Sequence, residues 1–270
     1  MVAHPRKLAV VIGAAGALGS AVAARLAPDM RLVAADLDGA KVAQLASDLS
    51  ANGAEVMPAQ LDLSKSADVQ GLADRVVERF GPVDLVCNTV GISTNAGDRT
   101  WAVPLEDWER IMAVNFWGAL NVIRSFVPLL LANNHGHILN TASTTAFSAP
   151  MSRFSAYITS KHAVVSVSEV LQQDLRAVGS RVRVSVIIPG AIGSTDAAAR
   201  PEISASDLAR HATRPEELAE RIVDAVDTDN FYIFCRDEDV TLARSRLAGI
   251  VSRVLPQPPP LVLPTAVDPK

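Results

Sequence analysis

The stretch Leu8-Ala9-Val10-Val11-Ile12-Gly13-Ala14-Ala15-Gly16-Ala17-Leu18-Gly19 decides how this chain folds. Residues 8–12 form an apolar run typical of a strand buried on both faces, and residues 20–26 continue as a helix. The glycines fall in the turn between them. Because glycine lacks a side chain, the backbone of such a turn approaches a pyrophosphate closely, and the helix N-terminus attracts its charge. The stretch predicts a phosphate-binding strand, turn and helix.

The composition is that of an α/β protein. The chain has 270 residues, of which 49% are hydrophobic and 4% aromatic, as expected where helices pack closely on a sheet. A net charge of −4 gives no support for a nucleic-acid or anionic-membrane partner. Cys87 and Cys235 lie in apolar runs without metal-ligand spacing. We therefore expect buried, reduced thiols, no metal site and a cytoplasmic protein.

The N-terminal region also resembles a signal peptide or a membrane span, because Arg6-Lys7 precede an uncharged stretch over residues 8–24. Glycines at positions 13, 16 and 19 argue against a continuous helix there, since each costs about 1 kcal/mol relative to alanine. We therefore prefer the strand, turn and helix, and we predict no membrane span.

Strands and helices alternate along the rest of the chain, which predicts a parallel sheet joined by right-handed crossovers. We expect one doubly wound, Rossmann-type domain over residues 1–255, with seven strands, helices on both faces and a ligand crevice at the carboxyl ends of the strands. Residues 191–213 are predicted to form a lid, and the Pro-rich residues 256–270 an extended or disordered tail. The predicted strands are 8–12, 31–35, 55–57, 83–87, 136–141, 183–188 and 231–234, and the predicted helices are 20–26, 39–52, 66–80, 104–131, 155–178, 215–226 and 239–254.

Asp36 ends the second predicted strand, 23 residues after Gly13. An acidic side chain at about this distance hydrogen-bonds the adenosine ribose hydroxyls of a dinucleotide. Its charge would repel a 2′-phosphate, and the Gly-rich turn carries no Arg or Lys to attract one. The pattern predicts NAD as cofactor, with NADP less favoured. An ordinary turn aspartate is the alternative.

Tyr157 and Lys161 stand four positions apart in a predicted helix, so both side chains lie on one face. The chain has only five lysines, and this one interrupts a largely apolar helix. A nearby cation lowers the pKa of a tyrosine from about 10 towards the range useful for proton transfer. The alternative is an exposed pair on a solvated helix face.

Further motifs accompany this pair in a fixed order. Asn88-Thr89-Val90-Gly91 follow the fourth strand, Asn115 lies in the long helix, Ser143 follows the fifth strand and Pro189-Gly190 follow the sixth. With the Gly-rich turn and the Tyr/Lys pair, this order resembles the short-chain dehydrogenase/reductase family over about residues 8–234. The resemblance implies one Rossmann-type domain, usually in a homodimer or homotetramer, that moves a hydride between a nicotinamide ring and an alcohol or carbonyl carbon.

The resemblance implies four catalytic residues. Tyr157 is the general acid/base, and Lys161 lowers its pKa and binds the nicotinamide ribose. Ser143 hydrogen-bonds the substrate oxygen. Asn115 kinks its helix and holds a water that continues the proton path from Lys161. These roles suit hydride transfer, because the charge that develops on oxygen needs a proton donor and a second polar contact.

The resemblance also implies a set of cofactor contacts. Asp62 and Leu63 lie near the adenine, Asn88 supports the site and Gly91 lies beside the adenosine ribose. Residues after the Pro-Gly pair face the nicotinamide amide, where Thr195 is an alternative to Ser194. The predicted cofactor-binding set is Gly13, Gly16, Ala17, Leu18, Gly19, Asp36, Leu37, Asp62, Leu63, Asn88, Gly91, Tyr157, Lys161, Pro189, Gly190, Ile192 and Ser194.

The substrate is expected between the loop 92–103, the segment 144–154 and the lid 191–213. Apolar side chains in the first two segments predict a moderately hydrophobic secondary alcohol or ketone. Arginines at positions 99, 153 and 200 leave an anionic substrate as the alternative. The predicted pocket residues are Trp101, Phe147, Met151 and Phe154.

Two other functions are open. The glycine spacing of the first turn is closer to the family's extended branch, which includes NAD-retaining epimerases. Only 109 residues follow Lys161, which is little room for that branch's larger substrate domain, so we prefer a dehydrogenase. A non-catalytic NAD-binding regulator is the second alternative, and the presence of all four catalytic residues argues against it.

Overall fold

A computed structural model of the chain describes residues 6–93, 99–193 and 212–256. Within these ranges, seven strands form one sheet in which every neighbouring pair is parallel, as the sequence predicts. The strands are β1 (Leu8–Ile12), β2 (Arg31–Asp36), β3 (Val56–Gln60), β4 (Leu85–Asn88), β5 (His137–Thr141), β6 (Arg183–Ile188) and β7 (Tyr232–Phe234).

The strand order is β3-β2-β1-β4-β5-β6-β7, so the direction of winding reverses between β1 and β4. In doubly wound folds the ligand crevice lies at this reversal, outside the carboxyl ends of the strands. The residues that follow β1 and β4 are the Gly-rich turn and the Asn88-to-Gly91 motif. The topology therefore places both motifs at one crevice.

The helices connect the strands and cover both faces of the sheet. A π-helical turn, Ala113–Trp117, joins the fourth helix to the fifth, and a 3₁₀ turn, Thr144–Ala146, follows β5. The helices are α1 (Ala17–Leu26), α2 (Gly39–Ala51), α3 (Ser66–Phe80), α4 (Leu105–Met112), α5 (Gly118–Asn133), α6 (Ser155–Ala177), α7 (Pro215–Val226) and α8 (Asp237–Val251).

Two hydrophobic clusters hold the helices on the sheet. Leu72 of α3 and Phe126 of α5 belong to the cluster on one face, and Leu18 of α1 and Ile222 of α7 belong to the cluster on the other. The strands β1, β4 and β5 are buried along their whole length. Central strands covered on both faces explain why their sequences are continuous apolar runs.

The predicted single helix over 104–131 is interrupted at Ala113–Trp117, where the hydrogen-bond ladder widens to a π-helical turn. Such turns contain an extra residue in the helical ladder and are frequent at functional sites. Asn115 lies within this turn. The π-helical turn therefore lies where the family resemblance implies a kink.

Two strands have ends that differ from the predicted ones. The third strand runs over Val56–Gln60 and not 55–57, because its pairing with β2 continues to Gln60 opposite Asp36. It contains Pro58, which an edge strand tolerates. The fourth strand begins at Leu85 rather than at residue 83, where the Asp84 carboxylate accepts a hydrogen bond from the Leu8 N–H at 2.8 Å.

Most of the predicted lid and the tail from residue 257 onward lie outside the described residues. The described residues at the two ends of the predicted lid are paired with each other. Ile192 pairs with Thr213, and the Gly193 N–H donates to the Thr213 carbonyl at 3.0 Å. The loop therefore starts and ends at a fixed bridge.

Within the described ranges, the helical stretch Leu105–Asn133 is long and apolar enough to cross a membrane. Half of its most apolar window is buried inside the fold, and α5 packs against α3, β4 and β5. A buried core helix passes the same length and hydropathy test, so this stretch gives no clear indication of a membrane span.

Candidate active site

The Gly-rich turn forms a tight cradle between β1 and α1. Gly13 has a φ of 85°, a conformation that favours glycine, and its N–H donates to the Ala35 carbonyl at 2.8 Å. A Cβ on Gly19 would lie 2.0 Å from the Gly13 carbonyl oxygen, so α1 starts directly on the turn only with glycine there. Gly16 is exposed at the N-cap of α1. The turn thus presents backbone and a helix N-terminus to the crevice, as a pyrophosphate requires.

Ala17 and Leu18, the next two predicted cofactor contacts, differ in where their side chains lie. Ala17 is the first helical residue and is half-buried, whereas the Leu18 side chain packs into the core beneath α1. Only the backbone of Leu18 is therefore placed to contact a bound phosphate. This arrangement agrees with a site built from main-chain N–H groups.

Asp36 lies at the end of β2 and faces the Gly-rich turn. Its carboxylate accepts hydrogen bonds from the N–H of Ala15 at 2.9 Å and of Asp38 at 3.1 Å. Leu37, which follows it, is 64% exposed. The carboxylate is therefore held at the crevice next to the phosphate cradle, with an apolar neighbour in place of a basic one.

Asp62 and Leu63 follow β3. Hydrogen bonds from Ser64, at 2.6 Å from the hydroxyl and 3.1 Å from the N–H, lower the pKa of the Asp62 carboxyl, and Lys65 at 3.2 Å acts in the same direction. Leu63 is buried, and its side chain occupies the space left by Gly118. Both residues are thus fixed on the β3 side of the crevice.

Asn88 and Gly91 flank the motif after β4. The Asn88 side-chain oxygen accepts a hydrogen bond from the Val90 N–H at 3.2 Å, and its carbonyl accepts one from the Thr141 hydroxyl at 2.8 Å. Asn88 is buried, and its two hydrogen bonds join the end of β4 to Val90 and to Thr141 of β5. A Cβ on Gly91 would lie 2.8 Å from the Lys161 Nζ.

Lys161 is the central charged group of the site and is only 1% exposed. Its Nζ donates to the carbonyls of Thr141 at 2.8 Å and Val90 at 3.3 Å. Burial lowers the pKa of this amine to about 7, because the charged form loses its hydration. The Nζ also lies 5.9 Å from the centroid of the Tyr157 ring. The predicted pair thus shares one face of α6, and its lysine is buried rather than solvated.

Asn115 locks the π-helical turn to the loop after β4. Its side-chain oxygen accepts from the Ile92 N–H at 2.8 Å, and its Nδ2 donates to the Ile92 carbonyl at 2.9 Å and to the Ser160 hydroxyl at 2.9 Å. Ser160 in turn donates to the Tyr157 carbonyl at 2.7 Å. Ser160 is not among the predicted site residues, although a polar residue next to Lys161 in a largely apolar helix is a signal that could have indicated it.

Ser143 is buried at the N-cap of the 3₁₀ turn, where its hydroxyl oxygen accepts from the Thr145 N–H at 3.2 Å. The Thr144 N–H donates to the Pro189 carbonyl at 3.2 Å, so the Ser143 turn contacts the Pro-Gly pair directly. The Ser143 hydroxyl hydrogen is oriented by rotation alone and is a donor suited to a substrate oxygen.

A family model described as short chain dehydrogenase matches residues 7–203, which contain every residue of the predicted catalytic and cofactor sets. The chain belongs to the short-chain dehydrogenase/reductase family. This family assignment confirms the resemblance drawn from the ordered motifs, and it makes the chain an oxidoreductase by family.

Relatives of known name support the same assignment. The 1-deoxy-11-beta-hydroxypentalenate dehydrogenase of Streptomyces exfoliatus is 35% identical over 94% of this chain and 92% of that protein. A short-chain dehydrogenase/reductase from Burkholderia phymatum in complex with NAD has 33% identity and a TM-score of 0.84 over 97% of this chain and all of that chain. A metagenomic short-chain oxidoreductase in complex with NADP has 26% identity and a TM-score of 0.70 over 84% of this chain and 95% of that chain. Solved structures similar to this dehydrogenase/reductase therefore bind either dinucleotide.

At the carboxyl end of β6 in this dehydrogenase/reductase, Pro189 is buried, and a Cβ on Gly190 would lie 2.8 Å from the Arg236 Nε. Ile192 packs against the core at the start of the predicted lid. The predicted contact Ser194 and its alternative Thr195 lie outside the described residues. The contact of this segment with the nicotinamide therefore stays a prediction.

The predicted substrate residues of this dehydrogenase/reductase differ in their surroundings. Trp101 is 83% exposed, with the Arg99 guanidinium 5.8 Å from its ring centroid. The Phe147 ring packs edge-on against Phe234 of β7, at 5.6 Å between centroids, and so contributes to the core. Met151 and Phe154 are half-buried ahead of α6, and Arg153 between them has a φ of 70°. Their contact with a substrate stays a prediction.

Both cysteines of this dehydrogenase/reductase are buried and free. Burial raises the pKa of each thiol to about 12, which makes both poor nucleophiles. In the part of the chain that the structure describes, three or more His, Cys, Asp or Glu side chains are nowhere grouped to hold a metal ion.

Proposed function

We propose that this chain is an NAD(H)-dependent oxidoreductase that interconverts a moderately hydrophobic secondary alcohol and its ketone, with Tyr157 as general acid/base. The observation that carries the proposal is the buried Lys161 amine near the Tyr157 ring, at the crevice formed by β1, β4 and β5. Burying a charged amine costs free energy, and strongly shifted pKa values cluster at functional sites. The pKa of about 7 for Lys161 is also close to the pH at which proton transfer is most efficient.

The roles of the side chains follow from charge. In the oxidising direction Tyr157 accepts the hydroxyl proton of the alcohol, and the Lys161 ammonium favours the phenolate form that accepts it. The Ser143 hydroxyl donates to the same substrate oxygen and holds it in place. When bound, the nicotinamide supplies the carbon that accepts or donates the hydride. Asn115 keeps the Ile92 loop and α6 in register around these groups.

Residues of the crevice support NAD over NADP. The Asp36 carboxylate lies beside the phosphate cradle, where it would accept hydrogen bonds from both ribose hydroxyls and repel a 2′-phosphate. No Arg or Lys occurs from Ile12 to Asp38, except Arg25 and Arg31 within α1 and β2. The proposed adenosine subsite is thus formed by the Gly-rich turn, with the negative side chain of Asp36 and the apolar side chain of Leu37 beside it.

The nature of the substrate rests on the apolar segments around the crevice and on the named relative. That relative is a dehydrogenase of a hydroxypentalenate, which supports a hydroxyl-bearing substrate for this chain also. Trp101, Met151 and Phe154 are the side chains that we propose for its apolar part. We further propose that the enzyme acts in the cytoplasm as a homodimer or homotetramer. Light scattering after size exclusion measures the oligomeric state directly.

A parallel screen of alcohols and ketones with NAD(H) and NADP(H) tests the proposal, with the Tyr157→Phe variant as the blank. We expect substrate-dependent NADH formation or consumption in the wild type, and none in the variant. A clear advantage for NADP(H) would contradict the NAD preference. A cofactor that co-purifies without net NADH formation would favour the epimerase alternative, and NAD binding without any turnover would favour a regulator.

A further inference from the structure

Arg236 and Asp239 form an ion pair at the carboxyl edge of the sheet, beyond residue 203 at which the family match ends. The guanidinium donates from Nη2 to one carboxylate oxygen at 2.7 Å and from Nε to the other at 3.1 Å. Asp239 is 1% exposed, so its charge depends on this partner. A two-pronged bond to a buried carboxylate fixes the plane of the guanidinium as well as its position.

This pair packs directly on Gly190. A Cβ on Gly190 would lie 2.8 Å from the Nε and 2.9 Å from the Cζ of Arg236. Gly190 does not have a positive φ, so the guanidinium, and not the backbone conformation, is what requires glycine here. The Arg236 guanidinium therefore packs against the Gly190 backbone in space that any other side chain at position 190 would fill.

The contact continues towards the catalytic residues. On the other side of the Pro-Gly pair, the Pro189 carbonyl accepts a hydrogen bond from the Thr144 N–H at 3.2 Å, in the turn that Ser143 begins. The Cys235 N–H, next to Arg236, donates to the Ile188 carbonyl at 3.2 Å. The Pro-Gly pair thus lies between the Ser143 turn and the first turn of α8.

We propose that Arg236 is a positioning residue, whose guanidinium, fixed by Asp239, holds the Pro189-Gly190 turn where the nicotinamide end of NAD binds. The inference rests on the proposed function, together with the family resemblance, which implies that Pro189 and Gly190 bind the cofactor and that the residues after them face the nicotinamide amide. A flat guanidinium packs against a glycine backbone over a wide area, and a lysine ammonium at the same site keeps only the charge. The adenosine subsite at Asp36 belongs to the other side of the crevice, so it does not depend on Arg236.

The Arg236→Lys variant tests this role, with NADH and ADP-ribose as probes. We expect the Kd for NADH to rise about tenfold and the Kd for ADP-ribose, which lacks the nicotinamide, to change by less than about twofold. The melting temperature should stay close to that of the wild type, because Lys keeps a positive charge opposite Asp239. NADH fluorescence gives the first Kd, and competition against NADH gives the second.

A double-mutant cycle with Gly190→Ala tests the contact itself. The added methyl collides with the fixed guanidinium in the wild type, and a flexible lysine gives way. The effect of Gly190→Ala on the Kd for NADH should therefore be at least about threefold smaller in the Arg236→Lys background. Additive effects would overturn the proposed contact.

Two further variants separate position from stability. The pair Arg221 and Asp237, 3.4 Å apart and largely exposed, joins α7 to the same first turn of α8, so Arg221→Lys is the matched control and should leave both Kd values unchanged. If Arg236→Lys fails to fold, Arg236→Gln with Asp239→Asn removes both charges together, and we expect the same selective loss of NADH affinity.

The outcomes distinguish this inference from the proposed function. Suppose that the wild type binds NADH. If the Arg236 variants then bind both probes as tightly as the wild type does, or lose affinity for both probes equally, the positioning role is wrong and the proposed function stands. If the wild type binds neither probe, the proposed function is wrong and the inference falls with it.

Discussion

Gly91 leaves the space that the Lys161 ammonium occupies, since a Cβ at Gly91 would lie 2.8 Å from the Nζ. The amine reaches two backbone carbonyls there and is sealed from water. The missing side chain of Gly91 thus makes room for a buried amine, whose Nζ lies 5.9 Å from the centroid of the Tyr157 ring.

The desolvation of Lys161 has a measurable effect on stability. Its folded pKa of about 7 lies below the ordinary value of 10.5, so the contribution of the neutral amine is fully present above pH 10.5 and is lost as the pH falls towards 7. We expect Lys161→Met to remove this dependence, so that the wild type gains on the order of a few kcal/mol relative to the variant between pH 7 and 10. Urea unfolding at both pH values measures it, and the exposed Lys7→Met is the control. Parallel pH profiles would contradict the buried amine.

Replacing Tyr157 by Phe should remove the proton donor and leave the cofactor site intact. We expect kcat to fall about 10³-fold and the Kd for NADH to change by less than about threefold. Tyr232→Phe is the matched control, because the Tyr232 hydroxyl donates to Glu169 of α6, which is not in the predicted catalytic or cofactor set. Unchanged turnover in Tyr157→Phe would exclude this residue from the mechanism.

Asp36 should determine the choice of dinucleotide. We expect Asp36→Ala to raise the KM for NAD about tenfold, and Asp36→Ala with Leu37→Arg to shift the kcat/KM ratio towards NADP about 100-fold, because a guanidinium then faces the 2′-phosphate. Steady-state kinetics with both cofactors measures the ratio. Asp38→Ala removes the neighbouring carboxylate that caps α2 and should leave the ratio unchanged. An unaltered ratio in the Asp36 variants would contradict the adenosine subsite.

Two glycines of the first turn should respond differently to alanine. Gly19→Ala places a Cβ 2.0 Å from the Gly13 carbonyl oxygen, whereas Gly16→Ala brings one to 3.3 Å of the same atom. We expect Gly19→Ala to lower the free energy of unfolding by about 3 kcal/mol or more, and Gly16→Ala by less than about 1 kcal/mol. Chemical denaturation of both variants tests this. Equal losses would show that the turn relaxes around either methyl.

His137 should make the fold sensitive to acid. It is buried at the start of β5, with its Nε2 2.8 Å from the Ser185 hydroxyl and its Nδ1 3.2 Å from the Val226 carbonyl. Burial and the nearby Arg183 lower its pKa to about 4, so its contribution to stability is complete above pH 6.5 and is lost as the pH falls towards 4.

We expect the wild type to lose on the order of 3 kcal/mol from this one group between pH 7 and 4. His137→Gln should flatten that part of the curve, and the exposed His135→Gln should not. Thermal unfolding across the pH range measures the slope. NADH binding at pH 7 should be unchanged in His137→Gln, because the residue lies at the amino end of the sheet, opposite the crevice.

Much of the fold follows from local patterns. The seven parallel strands were predictable because each is a short apolar run, and helical periodicity separates them. The end of β3 at Gln60 was not, because it depends on pairing with β2. The π-helical turn at Ala113–Trp117 was also invisible to periodicity, since its side-chain contacts are with Ile92 and Ser160.

The sequence by itself determined the order of strands and helices, the Gly-rich turn, Asp36 at the end of β2 and the one-face pairing of Tyr157 with Lys161. These depend on neighbours along the chain, whose geometry the backbone fixes. Only the tertiary structure decided that Lys161 is buried between two carbonyls, that Asn115 ties Ile92 to Ser160, and that Arg236 packs on Gly190. Desolvation and hydrogen bonding between elements far apart in sequence arise when the sheet assembles, and a one-dimensional pattern does not contain them.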